Sequence, residues 1–140
     1  MNEQSETIKD LKSYRQVRSI QSLRLKQGVK VNRVHIILDL YECDDKFLAK
    51  ATLLEQKVKK VLNQFELEPK IETFYQFQPF GVTAIICTKD LQFTMHTWPE
   101  YKSAAIDFYC FASRKKATQV CDALRLAFKS NEYEMKVRKR

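Results

Sequence analysis

Hydrophobic and polar residues alternate with a period of two in several stretches of this chain, which is the signature of strands with one covered face. From Val34 to Tyr41, Val34, Ile36, Leu38 and Leu40 form an apolar face, against a mixed face of His35, Ile37, Asp39 and Tyr41. The alternation predicts further strands over Ile71–Phe77, Val82–Cys87, Leu91–Trp98, Ala104–Phe111 and Tyr133–Val137. Two stretches switch to helical spacing. Leu54, Val58, Val61, Leu62 and Phe65 form one stripe of a helix from about Lys46 to Phe65, which Asp44 and Asp45 suit at its start. Ala117, Val120, Cys121, Leu124 and Phe128 do the same between Arg114 and Lys129. Pro79-Phe80-Gly81 reads as a turn with Gly81 free to take a positive φ, and Thr88-Lys89-Asp90-Leu91 as a hairpin connection.

The order β-α-β-β-β-β-α-β has only two amphipathic helices, too few to cover both faces of such a sheet. The expected fold is therefore α+β, a two-layer α/β sandwich of a mainly antiparallel sheet with two helices on one face. Residues 31–140 form the domain, and residues 1–30 a basic N-terminal arm. In the arm, Leu11, Tyr14, Val17, Ile20 and Leu23 recur every three residues, which fits a short packed helix or a partly ordered segment.

Composition narrows the class. A length of 140 residues with 44% hydrophobic content suits one globular domain. No apolar run approaches the ~20 residues of a membrane span, and the first residues carry no signal-peptide core. A cytoplasmic location and no membrane partner are expected. Cys43, Cys87, Cys110 and Cys121 form no CxxC pair, and His35 and His96 have no zinc-type spacing, so reduced, mostly buried thiols and no metal site are expected. The net charge of +8 is concentrated. Lys12, Arg15, Arg18, Arg24, Lys26 and Lys30 meet no acid between Leu11 and Lys30, and the chain ends Lys136-Val137-Arg138-Lys139-Arg140. Such ends suit an anionic small ligand or nucleic acid, or serve as a solubilising tail; no RNA-recognition or zinc-finger pattern supports a nucleic-acid module.

The chemistry gathers at one strand. Gln92, Thr94, His96 and Trp98 share a face of Leu91–Trp98, opposite Leu91, Phe93, Met95 and Thr97, and Pro99 ends the pairing. Glu100 then stands at the strand's mouth on the side of His96 and Trp98. An imidazole, an indole and a carboxylate together suit a flat heteroaromatic ring and a ribose; a plain core strand ending in tryptophan is the other reading.

Four pieces in order, Leu40-Tyr41-Glu42-Cys43-Asp44, Phe77-Gln78-Pro79-Phe80-Gly81-Val82-Thr83, His96-Thr97-Trp98-Pro99-Glu100-Tyr101 and Ala104-Ala105-Ile106-Asp107, resemble the prokaryotic-type S-adenosylmethionine decarboxylases. The resemblance runs from His35 to about Phe111 and leaves out the basic arm. It implies a two-layer sandwich that forms oligomers, dimers or trimers, with sites near the interface. It also implies adenine held between Phe77 and His96, with Trp98 beside them and Glu100 on the ribose hydroxyls. Stacking on aromatic rings is worth ~1–3 kcal/mol per base. A carboxylate accepts from both hydroxyls of a ribose.

One departure decides the chemistry. Members of that family cut themselves at a Glu-Ser bond and turn the serine into a pyruvoyl group, the electron sink for decarboxylation. Here the dipeptide is Asp90-Leu91, and leucine has no nucleophile. Thr88 and Thr94 are each three residues away. The family's proton-donating cysteine falls at Phe111, and a one-residue shift puts Cys110 on the opposite face. The family's Gly-Val-Ser serine is Thr83, which keeps a hydroxyl. The expectation is a protein that is not a pyruvoyl-dependent decarboxylase and needs no cofactor. It would bind S-adenosylmethionine or a phosphate-bearing derivative and cleave it as a lyase, with Glu42, Tyr75 and Thr83 at the amino-acid end. If the ligand is an S-adenosylmethionine–nucleotide conjugate, which the basic ends would suit, the role would be nucleotide binding that switches off a CRISPR-type antiviral signal. The alternative is a catalytically dead paralogue that binds S-adenosylmethionine or regulates an active decarboxylase in polyamine synthesis.

Overall fold

A computed structural model describes residues 33–140, so the expectations for residues 1–30 lie outside the described residues. The elements follow the alternation closely. They are β1 (Val34–Tyr41), α1 (Asp45–Ala49), α2 (Ala51–Gln64), β2 (Ile71–Gln76), β3 (Val82–Cys87) and β4 (Leu91–Trp98). A 3₁₀ turn (Pro99–Tyr101), β5 (Ser103–Cys110), α3 (Arg114–Ala127) and β6 (Glu132–Lys139) complete the chain. The strands form one six-stranded sheet in the order β2-β3-β4-β5-β1-β6, every neighbouring pair antiparallel. The helices lie on one face, as expected.

Every second residue of β1, β3, β4 and β5 is buried beneath the helices. Ile36, Leu38, Leu40, Phe93, Met95, Ile106 and Phe108 pack there against Leu54, Val58, Leu124 and Phe128. Phe93 and Phe108 are opposite each other in the β4–β5 register and stack at 5.7 Å between ring centroids. Cys43, Cys110 and Cys121 are buried and Cys87 is half-buried, all four as free thiols. Burial pushes the Cys43 thiol up to about 11 and the Cys121 thiol up to about 12, so both stay protonated near neutral pH. No helix among the described residues is long and apolar enough to cross a membrane.

The structure corrects one expectation. The single helix predicted from about Lys46 to Phe65 is two helices, separated at Lys50, whose backbone is extended at φ −119° and ψ 132°. Ala49-Lys50-Ala51 contains no helix breaker, so local propensity favours continuing. Tertiary hydrogen bonds win instead. The Gln76 amide accepts from Ala51 N–H at 2.7 Å and donates to Ala49 C=O at 2.9 Å, bridging the break. Gly81 N–H also donates to Ala49 C=O, and Thr97 Oγ1 donates to Leu48 C=O at 2.8 Å. The last carbonyls of α1 are thus satisfied by β2, β4 and the turn before β3 rather than by a continuing helix.

A second local feature runs against the helix dipole. Helix α3 opens Arg114-Lys115-Lys116 and has no acid in its first turn. A cation at this positive end forgoes the ~0.3–1 kcal/mol that an anion would gain there. Lys116 is neutralised by Asp90 at 2.7 Å; Arg114 has no carboxylate partner among the described residues.

Candidate functional site

The face of the sheet away from the helices carries several of the residues singled out above. Tyr75 lies opposite Thr83, and Thr83 opposite His96, so the three form one row across β2, β3 and β4. Ala105, the partner of His96 on β5, is small and leaves the imidazole's flank open. Thr83 Oγ1 lies 2.9 Å from His96 Nδ1. In the tautomer with its proton on Nε2, the threonine hydroxyl donates to the ring and fixes its orientation.

Two residues along β4, on the same face, Trp98 is 42% exposed, its ring 6.4 Å from that of His96. Pro99 then starts the 3₁₀ turn that carries Glu100, and Lys102 ends it in the left-handed conformation at φ 51°. From the other side, the turn after β2 brings up Phe77, 48% exposed and edge-on to Tyr75 at 4.9 Å. Phe77, Thr83, His96, Trp98 and Glu100 line one concavity of about 230 Å³, together with Phe80, Gly81, Val82 and Thr97. Five residues chosen from the sequence therefore meet at one place.

Tyr75 borders this concavity through Phe77 and Thr83 without lining it. Glu42 is not brought there. It follows β1 and does not line the concavity, although Cys43 N–H, next in the chain, donates to Lys102 C=O at the end of the 3₁₀ turn. Pattern reading missed two positioning residues, Gln76 and Thr97, and read a third, Gly81, only as a turn residue. Gln76 Nε2 donates to Phe77 C=O and Gly81 C=O and so staples the turn that presents Phe77. Gly81 has φ +110°, and a Cβ there would stand 3.3 Å from the Thr97 carbonyl oxygen, so glycine lets this turn lie against β4. Thr97 Oγ1 accepts from Val82 N–H at 2.9 Å, tying β3 to β4 below the site. Only Gly81 carried a sequence signal.

The hairpin between β3 and β4 shows how position 91 is held. Leu91 is fully buried in the core. Thr88 Oγ1 donates to Leu91 C=O at 3.2 Å and accepts from Asp90 N–H and Leu91 N–H, so its hydroxyl is engaged in the turn. Phe111 N–H holds Asp90 C=O at 2.8 Å. A pyruvoyl group does not fit position 91, because the residue that would have to become one has neither a hydroxyl nor a thiol. Intact-mass spectrometry of the purified protein is expected to show an unbroken Asp90–Leu91 bond; a fragment ending at Asp90 would contradict this assignment. Among the described residues, no group of three or more His, Cys, Asp or Glu stands together as metal ligands.

Comparison with known proteins bears on the same region. Residues 34–140 match the family model described as S-adenosylmethionine decarboxylase. The chain is 36% identical over 75 residues to the S-adenosylmethionine decarboxylase proenzyme of Thermotoga petrophila, covering 54% of this chain and 58% of that protein. It is 29% identical over 96 residues to the proenzyme of Fervidobacterium nodosum, covering 69% of this chain and 70% of that one. The match thus spans little more than half the length of the Thermotoga relative. The crystal structure of the adenosylmethionine decarboxylase from Aquifex aeolicus superposes with a TM-score of 0.73 at 25% identity, covering 80% of this chain and 92% of that one.

Proposed function

Because the chain belongs to the S-adenosylmethionine decarboxylase family, we propose that it binds the adenosyl part of S-adenosylmethionine in the Phe77–Glu100 concavity and cleaves the ligand without a pyruvoyl group. The observation that carries this reading is a contrast between the concavity and position 91. Phe77, Thr83, His96, Trp98 and Glu100 converge on one concavity, while position 91 is a leucine in the core.

Phe77 and His96 are rings for the purine, and Glu100 is a carboxylate for the ribose hydroxyls. The ~300–1,000 Å³ usual for small-molecule sites exceeds the concavity's roughly 230 Å³, so the space suits the nucleoside half of the ligand. The sulfonium and amino-acid end then extends over the open sheet towards Tyr75 and Thr83. There the faces of Trp98 and Tyr75 are suited to a cation. A second copy of the chain over this open face would complete the enclosure, which supports a homo-oligomer.

Cleavage needs no nucleophile from the protein. The ligand's own carboxylate oxygen attacks its γ-carbon, forming the lactone C–O bond. The γ-carbon–sulfur bond breaks, and its electron pair stays on sulfur. The sulfonium departs as neutral methylthioadenosine, and the remainder is homoserine lactone. No proton has to move, so folding the amino-acid chain into a near-attack shape is the protein's main contribution.

The register bears on the ligand's charge. Val34, beside Lys139, pairs with Cys110, which pairs with Leu91, so the basic C-terminus lies at the opposite end of β4 from Trp98. Among the described residues, Lys50 is a cation near the concavity, its Nζ 5.1 Å from the centre of the Phe80 ring. Unmodified S-adenosylmethionine is therefore the proposed ligand. A phosphate-bearing conjugate of the CRISPR-signal type forms the comparison arm.

Incubation of the full chain with each ligand, with products resolved by mass spectrometry, tests this reading. Methylthioadenosine and homoserine lactone from S-adenosylmethionine are expected. Faster cleavage of the conjugate would transfer the assignment to that ligand. Intact ligand with measurable binding would favour a paralogue that binds or regulates without turnover.

A further inference from the structure

A second concavity, of about 270 Å³, opens at the end of the sheet where β1 begins and β6 ends. Arg33, Arg114 and Lys139 line it with Ser113, and Val34 and Val137 supply its apolar wall. Strand pairing explains the gathering. Val34 pairs with Lys139 and Ile36 with Val137, so Val137 and Lys139 share the helix side of the sheet with Val34. Arg33 immediately precedes β1, and Arg114 comes from the first turn of α3.

Three cations from three separate parts of the chain thus face one space. No carboxylate lines it, and none of the three is ion-paired among the described residues. Like charges drawn together repel, and Arg114 also stands at the positive end of a helix. A merely solubilising charge would be stable in any spread-out arrangement. Convergence against both repulsion and the helix dipole is the kind of local conflict found at binding sites.

We propose that this concavity binds a phosphate group. The guanidinium forks of Arg33 and Arg114 suit paired donation to phosphate oxygens, Lys139 adds a point charge, and Val34 and Val137 accept the apolar part of an ester. A phosphate monoester and the phosphodiester of a nucleic-acid strand share this chemistry. The site is separate from the adenosyl concavity. Leu91 lies at this end of β4 and Trp98 at the other, roughly 23 Å apart at the rise of a strand.

The full chain, freed of phosphate in chloride buffer at fixed ionic strength, is titrated with inorganic phosphate, with adenosine monophosphate and with a short single-stranded oligonucleotide. Wild type is compared with Arg114→Glu, Lys139→Ala and, as a charge control on α2, Lys60→Ala. Saturable binding is expected in wild type and in the control. Losing a charge-assisted bond should raise Kd by about tenfold or more in each cavity variant. Arg114→Glu should also melt above wild type without phosphate, since it relieves repulsion and suits the helix dipole, and lose the rise in melting temperature that phosphate gives wild type. Saturable binding of the oligonucleotide alone, lost in the cavity variants, would identify the source as a phosphodiester and uphold the site. No saturable binding of any probe, binding untouched in the cavity variants, or equal weakening in Lys60→Ala would overturn it.

Discussion

Replacing His96 or Glu100 by alanine is expected to weaken S-adenosylmethionine binding strongly while leaving the domain folded. His96→Ala removes one of the two rings assigned to the purine, and base stacking is worth ~1–3 kcal/mol, or roughly 5- to 150-fold in Kd. Glu100→Ala removes a charged acceptor from the ribose, worth ~1.5–3 kcal/mol, a loss of similar size. Both side chains are exposed, so neither change opens a hole in the core. Thr83, freed from His96, faces solvent enough to bond with water. Calorimetric titration with S-adenosylmethionine, beside thermal melts of the same samples, separates binding from folding. Wild-type affinity in both variants would remove the site assignment; lost binding with an unchanged melt supports it.

Thr97→Val should be the more damaging change to the fold, although the two side chains have nearly the same shape. Thr97 is buried on the helix side of β4, and its hydroxyl both accepts from Val82 N–H and donates to Leu48 C=O. Valine leaves no cavity but strands both backbone groups. At ~1–3 kcal/mol for each unsatisfied group, a loss of about 2–6 kcal/mol is expected. For a domain of this size that lowers the melting temperature by roughly 10 °C or more. Thr97→Ser keeps the hydroxyl and loses a methyl, so it should cost only about 1 kcal/mol. Urea unfolding of the three proteins measures the difference. Equal stability of Thr97→Val and wild type would mean that the link from α1 to β3 does not support the site. The position also matters for binding. Gly81 rests against the Thr97 carbonyl, so a loosened β3–β4 junction should misplace Phe77 and weaken the ligand as well.

Much of this molecule is legible in its sequence because its sheet has one covered face. Under that condition burial imposes a period of two on each strand. The inward positions Phe93, Met95 and Thr97 and the outward positions Gln92, His96 and Trp98 can then be assigned before any contact is known. The helical stripe of Ala117, Val120, Cys121 and Leu124 was readable for the same reason. Leucine at position 91 is equally plain, since the absence of a nucleophile is a fact of composition.

The remaining features depend on residues far apart in the chain. The break at Lys50 arises because Gln76, 25 residues after Ala51, and Thr97, 49 residues after Leu48, hydrogen-bond to the end of α1. Local propensity cannot anticipate such bonds. Glu42, read from the sequence as a candidate for the amino-acid end, does not line the concavity, and the strand order puts β5 between β1 and β4. The sequence left the basic C-terminus open between an anionic ligand, nucleic acid and a solubilising tail; pairing of β1 with β6 brings Lys139 to Arg33 and Arg114, at the end of the sheet away from Trp98. By itself, then, the sequence determined the faces, the strands and the missing nucleophile, because these follow from side-chain chemistry and local periodicity. Only the tertiary structure decided which faces meet, where α1 stops and where the positive charge collects, because those depend on strand order and long-range hydrogen bonds that periodicity does not encode.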